Sequence, residues 1–246
     1  MFPIRDHNPS GRVPHVTRLL VALNVLIFLG CWALLPSGAA QDRLFFDWGL
    51  VPARAVQQGA WWSVLTSMFL HAGWAHLFGN MLFLWIFGDN LEDRFGHFGF
   101  LAFYLLAGSG AALAQVAAGP ASGIPMVGAS GAIAGVMGGY LLLFPRARVD
   151  VLFFFLIFFR IFAIPAWAVL GFWFASQLVA GVATPIDLGG VAYWAHAGGF
   201  VAGLALTLPY WLRQGGPRFW RRMQGHPDHP PVTYRQSRIP VIRRTR

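Results

Sequence analysis

The chain has 246 residues, of which 57% are hydrophobic and 11% charged, less than half the ~25% charged share usual in soluble domains. With 11 Trp and 23 Phe as well, this balance excludes an ordinary soluble domain and points to an integral membrane protein with one compact domain. The formal net charge is +9, but nine of the 18 basic residues fall between Arg213 and Arg246, so the charge describes a tail rather than a folded face for nucleic acid. Cys31 is the single cysteine and lies in an apolar run, which excludes disulfides and cysteine metal cages.

Residues 1–16 read as a cytoplasmic N-terminal segment. A bilayer core takes ~20 mainly apolar helical residues, and six segments qualify: 17–36, 74–90, 97–118, 128–144, 162–183 and 191–212. The expected fold is therefore all-α, a bundle of six transmembrane helices over residues 17–212. The run from Leu19 to Leu35 exceeds the apolar core of a signal peptide and reads as a retained first span. The long loop 37–73 holds most of "WWSVLTSMFLHAGWAHL" (61–77), whose tryptophans suit the headgroup zone and predict a segment dipping into the interface. The run "VLFFFLIFFRIF" (151–162) is expected at the interface or in a long tilted helix, with Arg160 snorkelling to the headgroups. Residues 213–246 form a basic, proline-rich tail, expected to be disordered and cytoplasmic.

Arginine placement sets the orientation. Arg5, Arg12 and Arg18 precede the first span, Arg146 and Arg148 sit in the turn "PRARVD", and the Arg-rich tail follows the last span. The positive-inside rule makes all three segments cytoplasmic, which requires an even number of spans.

Polar residues inside spans are costly and mark functional candidates. In this topology spans two, four and six all run from outside to inside. His76 and Asn80 lie near the start of the second, Ser130 near the start of the fourth, and His196 a few residues into the sixth. At ~1.5 Å rise per residue all four fall in the outer third of the bilayer. Ser130 and His196 suit a nucleophile and its base, since a serine hydroxyl needs a proton acceptor to attack. His76 and Asn80, four apart on one helix face, suit oxyanion donors beside the Ser130 backbone N–H. Gly131, Gly135, Gly138 and Gly139 on one span, and Ala195, Gly199 and Gly203 on the other, allow close helix approach. With no carboxylate nearby, a Ser/His dyad is expected. His71 and His76 in "HAGWAH" are five apart, on different helix faces, and do not read as a metal pair.

The strings "HAGWAHLFGNM" (71–81), "EDRFG" (92–96), "GASGAIAG" (128–135) and "AHAGGFVAG" (195–203), in this order, resemble the rhomboid family of intramembrane serine proteases. The resemblance covers roughly residues 17–212. It implies catalysis by Ser130 and His196, an oxyanion role for His76 and Asn80, and hydrolysis of peptide bonds in or beside transmembrane helices. It implies no cofactor, metal or ATP. The partners it implies are transmembrane protein substrates and membrane lipid, in a bacterial inner membrane with both termini cytoplasmic. A non-proteolytic relative that binds transmembrane helices is the rival reading. Two positions depart from the family pattern. Ser63 stands where many relatives carry a first-loop arginine, and Ala134 where many bacterial relatives place an aromatic ring against the catalytic histidine. Span packing or another aromatic residue, such as Tyr193 or Trp194, is expected to hold the histidine instead. The loop 119–127 is expected to border the substrate side.

Overall fold

The computed structural model describes residues 2–35, 37–155 and 158–223. Strand β1 (Phe2–Asp6) is followed by helix α1 (His15–Leu34). Three short helices, α2 (Gly38–Trp48), α3 (Pro52–Gln58) and α4 (Ser63–Ser67), fill the long first loop. Next come α5 (Trp74–Ala118), α6 (Ser130–Leu143), β2 (Arg148–Phe155), β3 (Phe158–Pro165), α7 (Ala166–Ala183), α8 (Tyr193–Arg213) and α9 (Pro217–Met223). Helix therefore lies over each of the six apolar segments. Among the described residues α1, α5 and α7 are long and apolar enough to cross a membrane, and α6 is a shorter apolar helix.

The 45-residue α5 is two helices joined at Gly96, whose φ of 70° and ψ of 169° are accessible to glycine and strained for other residues. Beside this break, Glu92 serves a second element. Its two carboxylate oxygens accept from the backbone N–H groups of Val16 and Thr17, each at 2.8 Å, and from the Thr17 hydroxyl at 2.7 Å. These N–H groups belong to the first turn of α1, which follows Pro14 and has no side-chain cap of its own. The unpaired N–H groups of that turn favour an anion. Burial works against the Glu92 charge, but the Thr17, Val16 and His97 hydrogen bonds outweigh it and hold the carboxyl below its usual range.

α6 sits at the centre of the molecule, with Gly131 to Tyr140 all buried. It packs on α5 and α8 through glycine. A Cβ at Gly199 would overlap the Gly131 carbonyl, one at Gly203 the Gly135 carbonyl, and one at Gly138 the Phe200 carbonyl. Lipid is as apolar as another helix, so association in a membrane depends on fit of this kind. Outward faces are apolar instead: Leu26, Phe78, Phe172 and Val179 are each at least 65% exposed, as expected where the surroundings are lipid rather than water.

The all-α expectation is corrected by a three-stranded antiparallel sheet in the order β1-β2-β3. β2 is central: Val149 and Val151 are fully buried, and the strand pairs with β3 from Arg148↔Pro165 to Phe155↔Phe158. The run expected as interfacial or tilted helix is thus mostly a hairpin, and the helix expected from 162 begins at Ala166. Aromatic and β-branched residues suit paired strands, and β1 supplies the second neighbour from the N-terminal segment. Charge fastens that neighbour. Asp150 accepts from Arg5 at 2.8 Å and lies 2.7 Å from His7, and although burial opposes its charge, these partners hold its carboxyl below the usual range. Asp6 accepts the Tyr140 hydroxyl at 2.7 Å, and its burial pushes the carboxyl up to about 7.

The expected tail 213–246 also needs correction at its start. α9 is ordered against the body, with Phe219 and Met223 buried and the Trp220 indole N–H donating to the Leu142 carbonyl at 2.7 Å. The remainder of that segment, 224–246, lies outside the described residues.

Candidate active site

Ser130 is the first residue of α6, so its backbone N–H is among the first-turn donors that have no acceptor within the helix. Gly128, two residues earlier, has φ 126° and donates its N–H to the Ser67 carbonyl at 2.8 Å. A side chain at Gly128 would strike the His76 ring 2.7 Å away. Glycine here therefore lets His76 lie beside the start of α6.

His196 comes from the first turn of α8. That turn is fixed by Gln115 of α5, whose side-chain oxygen accepts the Ala195 N–H at 3.1 Å. His196 Nε2 then lies 2.8 Å from Ser130 Oγ. The pair is half-buried on the wall of a cavity of about 630 Å³, which His76, Asn80, Gln115 and Trp173 also line. All four residues singled out from the sequence thus face one space. The loop 119–127 contributes Ser122 and Ile124 to Val127 to the same wall, and it is tied to the first loop by paired backbone hydrogen bonds between Leu50 and Met126.

The flanking groups differ in what they can offer. Asn80 is buried and donates one amide hydrogen to the His76 carbonyl at 2.9 Å, leaving a second hydrogen uncommitted by that bond. Among the described residues the one hydrogen bond to the His76 ring is a long one, 3.4 Å, from the Ala72 N–H to its Nδ1. His71 is buried behind it, edge-on to the His76 ring at 5.1 Å between centroids. His71 therefore supports His76 and does not line the cavity.

Both departures from the expected pattern have structural answers. Ser63 is buried and donates to the Ala60 carbonyl at 2.7 Å. The first loop is instead held by Arg54, which donates to the Phe46 carbonyl and lies over the Phe46 ring, and by the Thr66 hydroxyl donating to Trp48 at 2.6 Å. The His196 ring is faced neither by Ala134 nor by Tyr193 or Trp194. Trp173 of α7 lies against it, 5.7 Å between centroids and tilted by 35°. His196 Nδ1 meets Gln177 Oε1 at 2.8 Å. Gln177 was not among the residues singled out from the sequence. The signal was available, because a carboxamide within an apolar span is costly unless it has a partner.

The model of the Rhomboid domain matches residues 58–213, a stretch that includes every residue of the cavity discussed above. The Rhomboid protease GluP of Bacillus subtilis is 36% identical over 128 residues, 52% of this chain and 24% of that protein. RHOMBOID-like protein 1 of Arabidopsis thaliana is 31% identical over 181 residues, 70% of this chain and 42% of that protein. The Rhomboid protease AarA of Providencia stuartii is 44% identical over 55 residues, 22% of this chain and 20% of that protein. In each case the match spans less than half of the relative. The family model covers well over half of this chain, which belongs to the rhomboid family.

Proposed function

We propose that this chain is a six-span intramembrane serine protease that cleaves peptide bonds in or next to transmembrane helices of membrane proteins. The observation that carries the reading is the 2.8 Å separation of His196 Nε2 from Ser130 Oγ at the wall of a cavity large enough for a peptide segment. The protease names of two relatives support it.

In this reading His196 Nε2 takes the Ser130 proton as Oγ attacks the carbonyl carbon. The negative oxygen that forms is met by the Ser130 N–H, the His76 ring and the free amide hydrogen of Asn80, donors already fixed before reaction. The N-terminal end of α6 adds a favourable dipole at that point. The proton on His196 passes to the leaving amine, which departs as the acyl-enzyme forms. Water then gives up a proton to His196, attacks the ester, and releases the second product. Six membrane crossings, with both termini in the cytoplasm of a bacterial cell, put the cavity towards the outer face, where that water is available. Suitable substrates are transmembrane segments whose helix unwinds readily around small side chains.

The test is cleavage of a transmembrane substrate by the reconstituted protein. The wild type should cut it, and Ser130→Ala and His196→Ala should each abolish the cut. Undiminished cleavage in either variant refutes the dyad. A fluorophosphonate that labels the wild type but not Ser130→Ala separates a protease from a relative that only binds helices.

A further inference from the structure

We propose that Gln177 is a positioning residue for His196, holding its ring in the one tautomer that can accept the serine proton. The proposal rests on the reading of Ser130 and His196 as nucleophile and base.

The hydrogen-bond inventory around Gln177 is directional. Its amide nitrogen faces the Trp173 carbonyl at 3.4 Å and the Ser176 hydroxyl at 3.0 Å. A backbone carbonyl only accepts, so that end of the amide must be the NH2 group. The Ser176 hydroxyl donates its own hydrogen to the same Trp173 carbonyl at 2.6 Å, which leaves its lone pairs for the amide. The opposite end, Oε1, only accepts, and it lies 2.8 Å from His196 Nδ1. Nδ1 must therefore carry hydrogen. In a neutral imidazole the second nitrogen is then bare, and here that nitrogen is Nε2, 2.8 Å from Ser130 Oγ. The chain of donors runs one way: Ser130 to His196, His196 to Gln177, Gln177 to the α7 backbone.

The arrangement also suits the charged intermediate. When Nε2 gains the serine proton, Nδ1–H still points at an acceptor, so the ring need not turn between steps. Trp173, one helical turn before Gln177 and on the same face, closes one side of the ring. α7 thus supplies both the orientation and the tautomer, where a carboxylate would do so in a triad. A merely structural Gln177, tying α7 to α8, would need only some hydrogen bond and not this polarity.

The experiment compares wild type, Gln177→Leu and Gln177→Glu in the same vesicles, with Ser130→Ala as the blank. Leucine removes the acceptor; glutamate keeps an oxygen acceptor at similar reach. For Gln177→Leu we expect kcat lowered about 10–100-fold, as for other residues that orient a reacting group from behind, with KM changed less than about twofold, because the effect falls on the chemical step and not on substrate binding. Gln177→Glu should recover most of kcat. With 15N-labelled histidine, NMR should find the wild-type His196 proton on Nδ1, and a gain of the Nε2–H form in Gln177→Leu. Wild-type kcat in Gln177→Leu, glutamate no better than leucine, or an Nε2–H tautomer in the wild type overturns the proposal. If Gln177→Leu does not fold, the wild-type tautomer and the Gln177→Glu rate still decide it. Loss of the protease reading itself looks different: the wild type then fails to cleave, or Ser130→Ala cleaves as well as it does.

Discussion

Substituting Gly199 by alanine adds one methyl group to the contact that brings α8 against α6. That methyl would fall well inside the 3.0 Å below which a Cβ atom essentially never approaches another heavy atom, against the Gly131 carbonyl, and would also sit 3.1 Å from the Ala111 Cβ. The first obstacle is backbone, so no side chain can turn aside, and α8 must move away from α6 by about 1 Å. The overpacking itself costs about 1–3 kcal/mol. The larger effect is on rate. His196 lies on α8 one turn before Gly199, and Ser130 adjoins Gly131, so the 2.8 Å contact lengthens by much of that shift. A misplacement of this size costs roughly 10²-fold in turnover. Gly171→Ala is the control, because nothing lies within 4 Å of a Cβ there, and alanine in a helix interior is favoured by about 1 kcal/mol. Thermal unfolding in detergent and initial cleavage rates in vesicles check both arms. Gly199→Ala with wild-type turnover would refute the claim that glycine packing sets the Ser130–His196 distance.

Glu92→Gln keeps one accepting oxygen where the carboxylate had two, so hydrogen bonds to the start of α1 are lost, each worth about 1.5–3 kcal/mol when the acceptor is charged. The expected result is destabilisation of about 3 kcal/mol at pH 7, read from unfolding of purified protein. The Glu92 carboxyl is depressed in the folded state, so its stabilisation is present at neutral pH and fades as pH falls below its ordinary value of 4.5; the acid limb of stability should shrink in Glu92→Gln. Asp6 has the opposite sign. Burial raises its carboxyl from 3.8 to about 7, so ionising it costs the folded state up to about 4 kcal/mol, a penalty that grows as pH rises from about 4 to about 7. Asp6→Asn, whose oxygen can still accept from Tyr140, should raise the melting temperature at pH 8 and leave it little changed at pH 4, and an equal effect at both pH values would refute this account.

Most of the helices and the polar cluster were legible because lipid removes alternatives. An apolar run of about 20 residues has few fates in a membrane, and a polar side chain there needs a reason; His76, Asn80, Ser130 and His196 followed from those two facts. The sheet was not legible. Val151 to Phe162 is apolar at every position but Arg160, and periodicity cannot tell a buried strand from a helix in such a run. What decides it is pairing with Phe2–Asp6, nearly 150 positions away in the chain. α9 was hidden by composition, since its arginines read as tail while Phe219 and Met223 find a pocket that only the folded body makes. Gln177 was missed for a different reason. Gln177 stands 19 positions before His196 and in a different helix, so its meeting with the ring becomes visible only once α7 packs on α8.

Distance and direction at the site are set by different parts of the molecule, and this separates the expected mutants into two kinds. The gap between Ser130 and His196 is set where α6 meets α8, through glycines whose neighbours are backbone carbonyls. That contact is also part of the core, so substitutions there should lower stability and rate together. The direction of the His196 ring is set by Gln177 and Trp173 on α7. α7 carries just four buried residues among those described, Ala166, Val169, Leu170 and Gly181. Three of them lie towards the end that joins the sheet, and Gly181 lies one turn past Gln177. Trp173 and Phe174 pack on the core at Phe200, and Gln177→Leu leaves those contacts in place, so removing the Gln177 acceptor should lower the rate while leaving the melting temperature near that of the wild type. If Gln177→Leu instead melts as early as Gly199→Ala, the Gln177 hydrogen bonds are part of what holds α7 on the bundle, and their effect on the histidine is not separable from folding.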